Sequence, residues 1–213
     1  MKRASALTLS FGILALIGCT PAGGHRYDYA KTTLTMQCSG SRTVAVAVLD
    51  ARKYIINGRH TPNYVGQIRA KLGNPWPVYT TDDTPMANAV VHGLIAALRG
   101  AGYTAYASGT QPQNTRDDVI AMLKTHRAVR LILVTILEWY SDTDRHMSGN
   151  YLTYHLAIEI MDGSGTVLKK EQAFALEEKI SGEGRPIEPH VLKGYQIRFD
   201  ALLNHPDICN ALR

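Results

Sequence analysis

Two spacings of apolar residues alternate along the chain from residue 43 onward. TVAVAVLD, residues 43–50, is a nearly unbroken apolar run and reads as a strand covered on both faces, as in a parallel sheet. From Thr84 the spacing turns helical: Ala87, Val90, Val91, Leu94, Ile95 and Leu98 fall on one face. Thr84 is expected to cap this helix, Pro85 to take its first position, and Gly100 and Gly102 to end it. YTAYA, residues 103–107, reads as a second strand. Thr115, followed by Asp117 and Asp118, opens another helix with a capping-box-like start, whose Val119, Ile120 and Leu123 face the sheet.

AVRLILVTILEWY, residues 128–140, carries no charge from Leu131 to Leu137 and is the expected sheet centre. YLTYHLAIEIMD, residues 151–162, alternates Leu152, Tyr154, Leu156, Ile158 and Ile160 against Thr153, His155 and Glu159, which predicts a strand with one wet face. DGSG at 162–165 turns the chain into TVLKKEQAFALEE, an antiparallel and more polar edge strand. A last helix is expected from about Glu188 to Asn204, stopped by Pro206. The fold class is α/β (α+β): one layered domain of order β-α-β-α-β-β-β-α, a mixed sheet with helices packed on it and right-handed crossovers.

The first residues have a different character. Lys2 and Arg3 precede an uncharged, mostly apolar stretch from Ala4 to Gly18, the parts of a signal peptide, and the stretch is short for a membrane span of about 20 residues. Leu16-Ile17-Gly18-Cys19 resembles the bacterial lipobox, in which the cysteine is acylated before cleavage ahead of it; the alternative is a plain secretory signal that contains a cysteine. The resemblance implies residues 1–18 as signal, Cys19 as the lipidated residue, and attachment through acyl chains to a membrane. Thr20 in place of Asp after the cysteine implies the outer membrane; the leaflet is not read from these residues, and a periplasmic-facing domain is the expectation. Residues 19–42, with TPAGG near their start, read as a flexible tether, and 43–213 as a single domain. Loss of Lys2 and Arg3 takes the formal charge from +5 to +3, too little to argue for nucleic acid.

Cys38 and Cys209 lie near the two ends of the domain. In an oxidising envelope compartment such a pair is expected to form a disulfide; two separate buried thiols are the alternative. The segment 57–85 carries Pro62, Pro75, Pro77 and Pro85 with Gly58, Gly66 and Gly73 and reads as a long loop. Within it Tyr64, Arg69, Trp76 and Tyr79 are the candidate partner-binding residues. The competing reading has the aromatic residues stapling the loop to the sheet.

Catalytic signatures are absent from the sequence. There is no Gly-x-Ser-x-Gly elbow and no His-Glu-x-x-His pair, and no cofactor is expected. DTDRH, with Asp142, Asp144 and His146, offers metal-type ligands but falls in an expected turn, and His92 and His155 lack an adjacent acid or nucleophile. With the lipobox, LDAR at 49–52, RGAGY at 99–103 and the late hairpin, the chain resembles the YajG group of bacterial lipoproteins. Its strand and helix order is similar to the amino-terminal part of TolB. The resemblance implies a non-catalytic envelope lipoprotein that helps assemble a complex with an envelope protein. The alternative is a periplasmic carrier or enzyme acting on an envelope lipid, glycan or peptide.

Overall fold

The structure, a computed structural model, describes residues 24–69, 75–111, 113–125, 127–144, 149–181 and 187–213. Cys19 and the expected signal peptide lie outside these residues. In chain order the elements are β1 (His25–Tyr27), β2 (Thr43–Asp50), α1 (Lys53–Ile56), β3 (Tyr64–Arg69), β4 (Pro75–Thr80), α2 (Met86–Gly100), β5 (Thr104–Ala107), α3 (Arg116–Thr125), β6 (Arg130–Asp144), β7 (Gly149–Asp162), β8 (Val167–Ser181), α4 (Ile187–Leu203) and α5 (Pro206–Leu212).

The eight strands form one mixed sheet organised around β6. On one side β6 serves two partners in succession: its first half pairs parallel with β2, from Val44 opposite Arg130 to Asp50 opposite Ile136. Its second half pairs parallel with β3, from Gly66 opposite Ser141 to Arg69 opposite Asp144. On the other side β7 runs antiparallel along its whole length, with an irregularity between Ile136 and Glu138. Val, Ile and Leu dominate the first half of β6 because both faces there are covered.

The chain leaves the sheet between Asp50 and Tyr64, and Arg52 bridges the gap. Its side chain is fully buried. Nε and Nη2 donate to the two carboxylate oxygens of Asp50 at 2.8 and 2.6 Å, Nη1 to the Tyr64 carbonyl at 2.6 Å and Nη2 to the Pro62 carbonyl at 3.0 Å. The planar five-donor fork of arginine fits this set where a lysine does not. Two strands that are separate in sequence are thereby held in line along β6.

The main core lies between the sheet and helices α2 and α4, around Leu94, Leu98, Ile132, Val134, Trp139, Tyr195 and Phe199. A smaller core lies on the opposite face under α3, where Val119 and Leu123 meet Ala45, Ala47, Leu131, Leu133 and Met161. The capping box of α3 forms as the spacing predicts, with the Thr115 amide and hydroxyl both donating to the Asp118 carboxylate at 2.8 Å.

The structure corrects several sequence expectations. The segment 57–85 is not a long loop, because it contains β3 and β4, paired antiparallel from Tyr64 opposite Tyr79 to Arg69 opposite Pro75. The prolines are accommodated because β4 has only the three residues of β1 on its other side, an edge-like position that tolerates missing donors. Gly66 has φ +149, and a Cβ there would lie 2.1 Å from the Ser141 carbonyl oxygen, so the glycine permits close strand contact rather than a turn.

The flexible tether also ends sooner than expected. β1 pairs with β4, and Tyr27, Tyr29 and Leu34 are buried in the main core. Trp139 Nε1 donates to the Tyr29 hydroxyl at 3.2 Å, and Tyr29 meets Tyr195 edge-on. Cys38 and Cys209 are joined as a disulfide, with Cα atoms 5.6 Å apart. Closing a loop of this length contributes about 5 kcal/mol in the chain-entropy account.

Thr84 does not cap α2; its carbonyl accepts the Thr80 hydroxyl, and Pro85 occupies the cap position. Pro206 ends α4 and begins α5. Glu159, expected on a wet face, is buried, because α3 covers that end of β7 and brings Arg116 onto its carboxylate.

Two consequences are measurable. Arg52→Ala leaves Asp50 charged and buried, and is expected to lower unfolding stability by about 3–5 kcal/mol, read from the urea midpoint, with Arg52→Lys recovering little. The Arg116 hydrogen bond holds the Glu159 carboxyl below its ordinary 4.5 against the opposing effect of burial. The pair therefore contributes stability above pH 4.5 that is lost as pH falls through the lowered value. Arg116→Gln should shrink that loss, seen as a shallower fall in thermal midpoint below pH 4.5.

Candidate functional site

α3 covers only one end of its face of the sheet. Beyond the irregularity in β6, Glu138, Tyr140 and Asp142 take the same face, past the end that α3 covers. β7 adds Tyr151 and Thr153, α1 adds Tyr54, β3 adds Arg69, and β8 adds Glu177. Together these line an open groove of about 300 Å³.

Local bonding fixes each wall. The Tyr54 hydroxyl donates to the Trp139 carbonyl at 2.6 Å, so its ring stands against β6. The Trp139 amide donates to Glu138 Oε1 at 3.0 Å. Arg69 forks onto Asp142 through Nε at 3.1 Å and Nη2 at 2.5 Å, and Gln67 Nε2 adds a third donor at 3.2 Å. The Glu177 amide donates to Thr153 Oγ1 at 3.1 Å, and Glu177 has φ +47 at a bulge where two β8 residues face one on β7. Among the described residues, the Glu177 carboxylate has no ion-pair partner.

A ring cluster backs the groove. His60 stacks on Tyr64 with centroids 3.8 Å apart, and Tyr54, Tyr79 and Tyr140 surround Tyr64 at about 6 Å. Burial pushes the Tyr54, Tyr64 and Tyr140 hydroxyls above the ordinary value of 10, so they stay protonated donors. Burial, with the Arg52 charge nearby, lowers His60 and disfavours its cationic form. The described lining of the groove is thus acidic and rich in tyrosine, and its Arg69 is already engaged by Asp142.

Of the sequence candidates, Tyr64 and Arg69 join this site, but not as free anchors. Tyr64 is buried at the centre of the ring cluster and Arg69 is paired. Tyr79 stands beside Tyr64 on one side and under the Arg26 guanidinium at 6.0 Å on the other. There it lines a second hollow of about 420 Å³ with Arg26, Asn63 and Asp83. Trp76 goes elsewhere: it lies opposite Ile68 of the main core and 5.9 Å from His25.

Sequence reasoning missed Tyr54, Glu138, Tyr140 and Glu177 as site residues. The polar alternation after Ile136 was the available signal. Asp142 is drawn into the Arg69 pair, while Asp144 and His146 yield no described side chains. Glu171, His205 and Asp207 do converge, but Lys169 stands among them, 3.2 Å from Glu171 and 2.5 Å from Asp207, and supplies the positive charge locally.

No family model matches the chain and no curated protein matches it. Among solved structures, its fold is similar to protein XCC0632 from Xanthomonas campestris, of the family described as DUF330. The TM-score is 0.55 at 12% identity, over 88% of this chain and 96% of that one. At that identity the likeness is one of fold alone. More distant likenesses include lipoprotein GNA1162 from Neisseria meningitidis, with TM-score 0.41 and 10% identity over 73% of this chain and 95% of that one. The C-terminal domain of LpoB from Salmonella enterica gives 0.31 and 12% over 66% and 87%.

The protonated state of the groove tyrosines has a direct optical test. Titration of tyrosinate absorbance between pH 9 and 11 should keep its full amplitude in Tyr54→Phe and Tyr140→Phe, because neither hydroxyl ionises near the ordinary value of 10. A loss of one tyrosine's amplitude in either variant would place that hydroxyl in solvent.

Proposed function

We propose that the protein is a membrane-anchored, non-catalytic lipoprotein of the bacterial envelope that binds an envelope protein through the groove on the uncovered half of its sheet. The observation that carries this reading is the lining itself. Tyr54, Tyr140 and Tyr151 offer ring faces, Glu138 and Glu177 offer carboxylates, and among the described residues the lining contains no histidine, cysteine or serine. Aromatic faces beside carboxylates attract lysine and arginine side chains, so a partner presenting basic residues fits best.

Anchoring through Cys19, an outer-membrane location and kinship with the YajG group belong to the same proposal and rest on the sequence. Among the described residues no helix is long and apolar enough to cross a membrane. A tether placing the domain at the membrane surface would leave the groove free to meet a partner there.

A photo-crosslinking residue at Tyr151 in living cells, with mass spectrometry of the product, tests the reading. The expected adduct is one envelope protein, with yield falling severalfold when Glu138 and Glu177 are both changed to Gln. A lipid or glycan adduct would replace this reading with a carrier, and no adduct would remove the groove from consideration. Cys19→Ala is expected to release the chain from the membrane fraction.

A further inference from the structure

β8 pairs only with β7 among the described strands, so its other side is an open edge of 15 residues. Four of the nine large apolar side chains that stand exposed among the described residues are on this strand: Val167, Leu168, Phe174 and Leu176. The last two are 73% and 84% exposed. A long apolar edge invites pairing with another strand, and its charges decide which strand fits.

The charges are sorted along it. Lys169 and Lys170 precede Phe174, and Glu177 and Glu178 follow it. The bulge at Leu176 and Glu177, which together face Thr153, reverses the alternation of faces. Lys169, Ala173 and Glu178 therefore lie on the helix side, where Lys169 reaches Asp207 and Glu178 reaches Arg198. Lys170, Phe174 and Glu177 lie on the groove side, where Lys170 is 3.5 Å from Glu159.

We propose that β8 pairs antiparallel with β8 of a second copy, about a twofold axis at Ala173. In that register Gln172 faces Phe174 of the other copy, Lys170 faces the bulged Leu176 and Glu177, and Lys169 faces Glu178. Each pair lies on a matching face. The bulge brings each lysine opposite a glutamate, because without it Lys169 would face Glu177 and Lys170 would face Leu176 alone. Centring the axis on Phe174 instead sets Lys170 against Lys179 and Glu171 against Glu178, which like charges oppose. The edge is thus self-complementary in one register and repelled in the next, and the closed, isologous arrangement consumes both open edges. The two grooves then lie on the same face of one continuous sheet.

The test uses the full chain in its own membranes. Ala173→Cys places two cysteines directly across the axis, where opposed Cα atoms of antiparallel strands are about 4.5–5.5 Å apart, within disulfide range. Mild oxidation is expected to give a covalent dimer on a non-reducing gel. Adding Glu177→Lys should cut the dimer yield about tenfold, the scale of a few opposed charges, and adding Lys170→Glu as well should restore it. Absence of the covalent dimer in a chain that has kept its Cys38–Cys209 bond, or a yield indifferent to Glu177→Lys, overturns the proposal. Should Ala173→Cys fail to fold, sedimentation of the unsubstituted chain in detergent decides: a dimer weakened by Glu177→Lys supports the pairing, and a monomer at all concentrations overturns it.

Discussion

The buried guanidinium of Arg52 is the constraint on which the sheet depends. A charge taken out of water is costly unless it is matched by charge and saturated with hydrogen bonds, and Arg52 meets both conditions through Asp50 and two backbone carbonyls. Those carbonyls belong to Pro62 and Tyr64, the residues that lead into β3. The arrangement therefore specifies where the second parallel strand must begin along β6. Tyr64 follows from this position: held at its carbonyl by Arg52, its ring becomes the hub around which Tyr54, His60, Tyr79 and Tyr140 gather.

The same constraint explains which parts of the fold were legible in the sequence. Strands and helices whose apolar period is carried by their own residues, such as 43–50, 86–100 and 130–140, were read correctly in kind and order, whereas the run of β6 on to Asp144 falls where a turn was expected. The hairpin of β3 and β4 was not, because its prolines and glycines signal loop locally and its pairing is imposed by distant partners. Gly66 illustrates the point: it looks like a turn residue, yet its role is to let the Ser141 carbonyl approach. The N-terminal segment was misjudged for a related reason. Tyr27 and Tyr29 are isolated aromatics in a polar stretch, and only the cavity between Trp139 and Tyr195 shows that Tyr29 belongs inside.

The candidate site was legible in fragments. Tyr64, Arg69 and Tyr79 were chosen for their chemistry and fall in or beside the acidic face, whereas Trp76 follows the period of its strand to the other side. The acidic wall escaped notice because Glu138 and Asp142 on β6 meet Glu177 of β8 only across β7. The irregularity after Ile136 resets which residues of β6 face outward, and it has no signature in composition. The short length of α3 is what leaves this face open, since its ten residues cover only the near end of a hairpin much longer than themselves.

The Cys38–Cys209 bond also has a mechanical meaning. A pull arriving from the N-terminal side first meets β1, three residues paired with β4, and then the Tyr29 contact. Both can be peeled one bond at a time. At Cys38 the load passes through the sulfur atoms into α5, and unravelling stops. The chain can thus lengthen by at most about 50 Å, the extended reach of residues 25–38, before the rest of the domain bears tension as one body. The bridge divides the protein into a short extensible leader and a domain shielded from whatever strains its attachment.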